Sequence, residues 1–269
     1  MIFLVNFATK EFRQAQKLNS FTGKYIGGFN KVFNYNENNL NVKFNSHNLR
    51  RKGFANYFWK SIIINKALER IEEEEYLFYS DSGSIFLKKI TPLVNDLKKS
   101  GKHIMAFKLP LLEKQWTKKY TINKISKNHF EDSESNQFLA GFILIRKSKV
   151  SVKFFKKFQE YCANNKLLFD DNFNNNENND FIEHRHDQSI FSLMCKSNKR
   201  IIYRAGDLSD YGFFPKKYLI RPNFIYNSKY TEIKNNKFKG TMLLFRKENP
   251  IIYLIKYAVK RLLLCLNYQ

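Results

Sequence analysis

The sequence predicts an α/β domain with a mostly parallel β-sheet and helices on both faces. Apolar runs of strand length alternate with longer segments of helical composition, an order typical of βαβ units. Hydrophobic residues make up 43% of the 269 residues, enough to bury a large core. Neither an internal repeat nor a linker divides the chain. We therefore expect one domain over residues 1–249, followed by a helix over residues 250–269.

Each predicted strand is a run of mainly apolar residues. The run IFLVNF at 2–7 is continuous, which is typical of a strand buried on both faces of a parallel sheet. The run FLAGFILIRK at 138–147 is the strongest strand signal. The other predicted strands are 25–35, 76–80 and 103–110.

Segments of helical composition lie between these strands. Residues 57–74 predict a helix because their apolar side chains fall close to one helical face. The predicted helix at 87–101 ends at Gly101, a residue type common at helix ends. The other predicted helices are 10–21, 151–165 and 187–198, and the polar stretch 170–180 is a predicted loop.

The formal net charge is +23, from 47 Lys and Arg against 24 Asp and Glu. A field of this sign attracts the phosphates of nucleotides, anionic lipids and nucleic acids. With 27 Phe and 15 Tyr, a basic nucleic-acid-binding protein is one alternative, since aromatic faces in a basic groove bind single strands. The basic residues are spread along the chain without a nucleic-acid-binding motif, so we expect no nucleic-acid partner.

The cysteine positions and the N-terminal sequence indicate the cellular compartment of the protein. Cys162, Cys195 and Cys265 are far apart and form neither a zinc pattern nor a disulfide framework, as expected for a reducing compartment. The first residues lack the basic start, apolar core and cleavage site of a signal peptide. We therefore expect a cytoplasmic protein.

The segment PIIYLIKYAVKRLLLCLNYQ, residues 250–269, is apolar but contains Lys256, Lys260 and Arg261. A membrane-spanning helix needs about 20 mainly apolar residues, and three central cations disfavour spanning. Two alternatives stay open. The segment is either a basic amphipathic helix on an anionic surface, the inner face of the cytoplasmic membrane, or a terminal helix packed on the core.

Asp81, Ser82 and Gly83 directly follow the predicted strand 76–80. In open α/β sheets, ligands bind beyond the carboxyl ends of the strands. A carboxylate in this place can hold a divalent cation and, through it, a diphosphate, while glycine lets the backbone approach a ligand. The structural alternative is that the Asp81 side chain caps the next turn, with Ser82 and Ser84 as helpers.

Four stretches in order carry a family resemblance. KGFANYFWKSIIINKALERIEEEEYLFYSDSGS, at 52–84, contains a Gly-aromatic run ending in Trp-Lys and a strand ending in Tyr-x-Asp-x-Gly. EKQWTKKY, QFLAGFILIRKS and FIEHRHDQSIFSLM follow at 113–120, 137–148 and 181–194. Together they resemble bacterial GT-A type glycosyltransferases of capsule and lipooligosaccharide biosynthesis. The matching residues of the first stretch are Gly53, Tyr57, Trp59, Lys60, Tyr79, Asp81 and Gly83.

The resemblance implies a GT-A-like fold and transfer of a hexose from a nucleotide sugar, here a UDP-sugar, to a surface glycan or lipid-linked glycan. It implies that Asp81 binds Mn²⁺ or Mg²⁺ as the first acid of a DxD motif. The second acid is absent, because Gly83 stands in its place, and no histidine follows His186. Cations such as Lys60 or Arg246 are an alternative source of charge neutralisation. The donor-binding residues implied are Phe7, Ala8, Thr9, Trp59, Lys60, Asp81, Ser82 and Gly83.

The stretch FIEHRHDQ supplies the second set of candidates. Asp187 and Gln188 are expected to bind donor-sugar hydroxyls or position the acceptor. Asp187 or Glu183 would act as general base if the reaction inverts the anomeric carbon, and no strong base is required if it retains configuration. Residues expected to line the acceptor or sugar pocket are Gln137, Ala140, Gly141, His186 and Trp116.

Each candidate also has a structural interpretation. Asp187 is a good helix N-cap, Trp59 a core residue and Lys60 a solvated cation. Residues 137–141 would form a tightly packed strand, and 113–120, with Trp116 and Lys118, a surface helix. A further alternative for the whole chain is a catalytically degenerate GT-A fold that acts in binding.

Overall fold

A computed structural model describes residues 1–40, 57–169, 177–206, 208–210, 238–245 and 249–266. The strands are β1 Ile2–Phe7, β2 Lys31–Tyr35, β3 Tyr76–Ser80, β4 Ser84–Phe86, β5 Ile104–Leu112, β6 Asn136–Arg146, β7 Ile202–Ala205, β8 Ser209–Asp210 and β9 Met242–Leu244. The α-helices are α1 Arg13–Thr22, α2 Trp59–Glu69, α3 Thr91–Lys99, α4 Glu113–Trp116, α5 Lys119–Ile125, α6 His129–Ser133, α7 Lys149–Ala163, α8 Asn165–Leu168, α9 His186–Ser197 and α10 Pro250–Leu266.

The central sheet has six strands in the order β2-β1-β3-β6-β5-β7. β1 is parallel to β2 and β3, and β5 is parallel to β7. β6 runs antiparallel to both of its neighbours, β3 and β5. The predicted mostly parallel sheet is therefore confirmed, with one inserted antiparallel strand. Ser80, the last residue of β3, pairs with Phe142 of β6. Because β6 runs the other way, the residues that precede Phe142 in β6 extend beyond the carboxyl end of β3.

Alternate residues along the strands belong to two hydrophobic clusters, one on each face of the sheet, because side chains of a strand point to opposite faces in turn. Val5, Leu77 and Tyr79 belong to the cluster that also contains apolar residues of α2, α7 and α9. Leu4 and Phe78 belong to the cluster that contains residues of α3 and β4. The sheet is thus covered on both faces, as predicted.

A second, three-stranded sheet has the order β4-β9-β8. It joins the segment after Asp81 to a strand far along the chain, since β4 is antiparallel to β9. Tyr253 of α10 lies in one cluster with Ile85 and Leu243 of this sheet. One face of α10 therefore packs on the small sheet, as the terminal-helix alternative predicts.

Among the described helices, none combines the length and the hydropathy needed to cross a bilayer.

The predicted strand at 25–35 begins too early. Residues Gly23–Gly27 form a π-helical turn, and the strand starts at Lys31. A Cβ atom on Gly23 would lie 2.5 Å from a side-chain carbon of Leu4, so this turn packs against β1 only because it contains glycine. Tyr25 is exposed, and its apolar character does not mark a buried strand.

The surface-helix interpretation of 113–120 is wrong. Glu113, Trp116 and Lys118 are each at most 2% exposed. Of the predicted loop at 170–180, residues 170–176 lie outside the described part of the chain.

Candidate functional site

Asp81 lies at the carboxyl end of β3, fixed by its neighbours. Its backbone N–H donates to the carbonyl oxygen of Gly141 (2.9 Å). The Tyr79 hydroxyl donates to Asp81 Oδ1 (2.5 Å), while Oδ2 lies on the side of Gly141, where a Cβ atom would stand 3.0 Å away. The Asp81 side chain is 48% exposed. One carboxylate oxygen is thus anchored, and the group as a whole reaches solvent.

Lys60, in the first turn of α2, joins three elements. Its Nζ atom lies 2.6 Å from Asp187 Oδ2 and 3.7 Å from Asp81 Oδ1, and it donates to the carbonyl oxygen of Ala140 (3.0 Å). The Lys60 side chain is 4% exposed, so the solvated-cation interpretation is wrong. Burial lowers the pKa of Lys60, but the carboxylates of Asp187 and Asp81 raise it more, and the net direction is upward. The ammonium group therefore stays charged. We call Asp81, Lys60 and Asp187 the carboxylate–lysine triad.

Asp187 is the second residue of α9, and its side chain is buried. The N-cap of α9 is Arg185, which makes no side-chain cap, so the N-cap interpretation of Asp187 is wrong. His186 has a φ of +48°, and its ring Nδ1–H donates to the carbonyl oxygen of Leu168 (3.0 Å). A left-handed backbone is uncommon for a residue other than glycine. This turn starts the helix whose first turn carries Asp187 to Lys60.

Gln188 connects α9 to the first half of β6. Its Nε2 donates to Gln137 Oε1 (2.7 Å), and its Oε1 accepts from the backbone N–H of Ala140 (3.4 Å). Gln137 is fully buried, whereas Gln188 is half-buried. The two glutamines therefore pair with one another, and Gln188 is the one that reaches towards the surface.

The serines around Asp81 hold the loop rather than face a ligand. Ser82 Oγ donates to the carbonyl oxygen of Phe7 (2.6 Å), and Ser84 Oγ donates to that of Asp81 (2.6 Å). Gly83 accepts a hydrogen bond from the backbone N–H of Phe245 (3.0 Å). These bonds tie the end of β1 and the small sheet to the loop. The turn-forming interpretation is confirmed for the serines, while the Asp81 side chain points to Tyr79 and Lys60.

Aromatic rings lie between the end of β1 and the start of α9. Phe7 and Trp59 are stacked, with ring centroids 4.1 Å apart. Tyr57 follows, with its ring 6.5 Å from Trp59 and 5.9 Å from His186. Burial, with the nearby carboxylates, raises the pKa of Tyr57, so its phenol is neutral. We call these rings the aromatic wall. Trp59 is buried, as its structural interpretation predicts, and Tyr57 is partly exposed.

The remaining donor candidates lie beside this wall. Ala8 is buried, and its N–H donates to the carbonyl oxygen of Tyr35 (3.1 Å). Thr9 is half-buried and precedes a 3₁₀-helical turn, Lys10–Phe12. Gly53 and Arg246 lie outside the described residues.

Two further predicted site residues, Trp116 and Glu183, contact Arg185. Trp116 is 2% exposed, with the guanidinium carbon of Arg185 4.2 Å from its ring centroid. Glu183 forms an ion pair with Arg185 (2.8 Å). The structure therefore groups Trp116 and Glu183 around Arg185.

A buried ion pair behind the site escaped the sequence analysis. Lys196 Nζ lies 2.7 Å from Glu113 Oε2, and both side chains are at most 3% exposed. Glu113 also accepts from Ser192 and, through Oε1, from Gln137 (3.3 Å). The sequence feature that could have indicated this pair is the spacing of Ser189, Ser192 and Lys196, which places a polar stripe on one face of α9.

The described residues could hold a divalent cation only if a phosphate group of a ligand supplied further oxygen atoms to it. Within the described ranges, no three His, Cys, Asp or Glu side chains are grouped to hold a metal ion. Mg²⁺ is commonly bound through one or two carboxylates together with substrate phosphates and water. Asp81, with its outward-reaching carboxylate, meets that requirement.

No protein-family model matches this sequence, and no curated protein matches it. Solved structures do match. The galactosyltransferase LgtC, in complex with donor and acceptor sugar analogues, is 14% identical, with a TM-score of 0.51 over 92% of this chain and 87% of its own. The bifunctional glycosyltransferase WbbM is 15% identical, with a TM-score of 0.51 over 92% of this chain and 46% of its own. The chain thus has the GT-A fold of these glycosyltransferases, as the sequence resemblance implied.

Proposed function

We propose that the protein is a glycosyltransferase that transfers a hexose from a nucleotide sugar, a UDP-sugar, to a hydroxyl of a surface-glycan or lipid-linked acceptor. The observation that carries this proposal is the half-exposed Asp81 carboxylate at the carboxyl end of β3, held in place by Lys60 and Tyr79. Ligands of open α/β sheets bind beyond this end of the strands. The GT-A fold supports glycosyl transfer in general.

The donor would lie between Asp81 and the aromatic wall. Its diphosphate faces Asp81, which would hold Mn²⁺ or Mg²⁺. Such a cation supplies charge neutralisation of the diphosphate when it is bound. The stacked rings of Phe7 and Trp59 give the nucleotide side of the site a rigid border.

Lys60 and Asp187 act as positioning residues in this proposal. Both are at most 4% exposed and stand behind Asp81, so they hold its carboxylate in one orientation instead of meeting the substrate. The charged Lys60 also offsets the repulsion between the two carboxylates of Asp81 and Asp187.

Gln188 and Tyr57 are two polar side chains beside the triad that reach solvent, and we assign them contact with sugar hydroxyls. The transfer breaks the bond between the anomeric carbon and the diphosphate oxygen and forms one to the acceptor oxygen. The nucleoside diphosphate leaves with the bonding electron pair, and the proton of the acceptor hydroxyl passes to the departing diphosphate or to solvent. An acceptor held at the correct distance and angle makes this step effectively unimolecular.

A nucleic-acid-binding role is not favoured. Phe3, Phe78, Phe142, Phe155 and Phe191 are at most 5% exposed, within the two hydrophobic clusters. Aromatic side chains buried in a core cannot stack on the bases of a single strand.

The test is a thermal-shift comparison of UDP, GDP, CMP and ADP, each with and without Mn²⁺. We expect UDP with Mn²⁺ to raise the melting temperature, because a ligand of the folded state stabilises it by about 2.7 kcal/mol at about 100 times its Kd. Asp81→Asn, which keeps an acceptor for the Tyr79 hydroxyl, should abolish the shift. Glu160→Gln, on the exposed side of α7, is the matched control and should leave it unchanged.

Stabilisation by UDP of equal size without Mn²⁺ would refute the metal role of Asp81. Failure of every nucleotide to shift the wild-type protein would refute the glycosyltransferase proposal itself.

A further inference from the structure

Helix α10 has an apolar face that packs on the protein and a second apolar face that is exposed. Tyr253, Leu254 and Tyr257 belong to the cluster formed with the small sheet. Five other apolar side chains in the described part of α10 are 50% to 66% exposed. They are Ile251, Ile252, Ile255, Val259 and Leu262.

These five side chains form one stripe. At 100° per residue, positions 251, 255, 259 and 262 fall within one narrow sector, with 252 at its margin, and the sector lies opposite Tyr253 and Tyr257. The stripe is about 17 Å long, since a helix rises 1.5 Å per residue. Single exposed apolar residues are normal on a soluble protein, but a continuous stripe marks an interaction surface.

Two exposed aromatic side chains lie on α1, which packs in the same cluster as α10, and on the turn that follows α1. Leu18 of α1 packs in the same cluster as Leu254 and Tyr257. Phe21 is three residues after Leu18, and Tyr25 follows four residues later, so both continue that row along α1 and the π-helical turn. They are 59% and 65% exposed, and their ring centroids lie 4.7 Å apart.

Cations flank the apolar groups. Lys17 and Lys24 are exposed, and Lys24 Nζ lies 5.4 Å from the ring centroid of Tyr25. Lys256 is exposed at the edge of the stripe on α10. Interfacial helices carry this combination, an apolar face bordered by lysines, together with aromatic rings at headgroup depth.

We propose that the exposed stripe of α10, together with Phe21 and Tyr25, docks on an anionic lipid bilayer. The apolar side chains enter the headgroup region, and the lysines meet the negative lipid headgroups. Charge selects this occupant over a second copy of the chain. A dimer through the same face would bring together two molecules that each carry a formal charge of +23.

This surface is joined to the candidate site through the small sheet. Phe245, whose backbone N–H donates to the carbonyl oxygen of Gly83, lies in the same cluster as Tyr253 of α10. Docking through α10 therefore holds the Asp81 loop close to the bilayer. The inference rests on the exposed apolar side chains and the positive charge of this surface, so it can be tested independently of the proposed activity.

The test is co-sedimentation of the full chain with phosphatidylcholine vesicles, prepared with and without phosphatidylglycerol. We expect binding to the anionic vesicles that weakens as salt is raised. Replacing Ile255, Val259 and Leu262 together by Ser should weaken this binding by about tenfold or more, because three apolar side chains no longer enter the bilayer. Lys17→Gln with Lys24→Gln should weaken it less, and mainly at low salt.

The matched control replaces Phe130 and Val150, which are exposed on other elements, by Ser and should bind like the wild type. The substituted α10 side chains are exposed, so an unchanged melting temperature verifies folding of the variant. Equal binding to both kinds of vesicle, or full binding by the triple variant, overturns the proposal. A concentration-dependent dimer that the triple variant abolishes, without vesicle binding, overturns it in favour of a second copy.

Discussion

Gly141 leaves the space in which the Asp81 carboxylate lies. A Cβ atom there would stand 3.0 Å from Asp81 Oδ2 and 3.4 Å from a methyl carbon of Leu139. The nearer neighbour is the end of a half-exposed side chain, which can move. An added methyl group should therefore displace the carboxylate rather than unfold the strand.

We expect Gly141→Ala to remove most of the Mn²⁺-dependent stabilisation by UDP while changing the free energy of unfolding by about 1 kcal/mol or less. Thermal shift with and without nucleotide measures both quantities. Ile143→Val, which removes one methyl group from the same strand, is the control. It should cost about 0.5 to 1.5 kcal/mol and keep the nucleotide effect. Unimpaired nucleotide binding by Gly141→Ala would mean that the position of Asp81 Oδ2 is unimportant.

The sequence predicted which single residues belong to the site, but it did not predict which side chains they contact. Asp81 and Lys60 stood out through the family resemblance, and Gly141 through its place on a strand. Lys60 was expected to be solvated or to reach a phosphate, yet it is buried between two carboxylates. Contacts between residues 60, 81 and 187 depend on how three elements pack, and no local pattern encodes that.

Helix α9 is fastened to the sheet by polar contacts as well as apolar ones. Its residue Lys196 pairs with the fully buried Glu113, and Lys196 Nζ donates to the carbonyl oxygen of Asp132 (2.8 Å). Removing one member of a buried ion pair leaves the other charge without compensation. Since α9 also carries Asp187 and Gln188, this pair helps to set the position of the site.

Lys196→Met should therefore lower the free energy of unfolding by about 3 to 5 kcal/mol. Urea denaturation measures the change. The double variant Lys196→Met with Glu113→Gln removes the uncompensated carboxylate and should recover a large part of the loss. If the single variant costs less than about 1 kcal/mol, the pair does not contribute as described.

Strands and helices were predicted correctly from the sequence where their hydrophobic pattern extended over many residues. The strand Ile2–Phe7 and the helix at 186–197 appear almost where they were expected, because continuous apolar runs and helical spacing are local signals. The three-residue strand Ser84–Phe86 is too short to show a period. The antiparallel direction of β6 is set by pairing with distant strands, which its own residues do not reveal.

The stability of the whole molecule should depend on pH through buried histidine. Burial, with Lys118 and His186 nearby, holds the pKa of His184 well below its ordinary value. The neutral ring fits its surroundings, since Nε2–H donates to the carbonyl oxygen of Leu167 (2.8 Å) and Nδ1 accepts from the backbone N–H of Lys118 (3.4 Å). The folded protein therefore excludes a proton that the unfolded chain binds below about pH 6.5.

Where the unfolded state binds more protons, stability rises with pH, so the free energy of unfolding should fall as pH drops below about 6.5. His184→Gln should flatten this dependence, and the exposed His129→Gln should not. His103, whose pKa burial also lowers, accounts for part of the remaining slope. Urea unfolding across this pH range measures it, and a wild-type profile that stays flat below pH 6.5 would contradict a neutral His184.

The pairing of β4 with β9 has a consequence for how the chain is made. Phe86 and Met242 are partners in one small sheet, although most of the chain separates them. During synthesis at about 5 to 20 residues per second, β4 leaves the ribosome on the order of ten seconds before β9 exists. Throughout that interval, Gly83 lacks the hydrogen bond from Phe245. The nascent chain can build most of its central sheet early, but the loop that holds Asp81 acquires this anchor only after β9 has been synthesised.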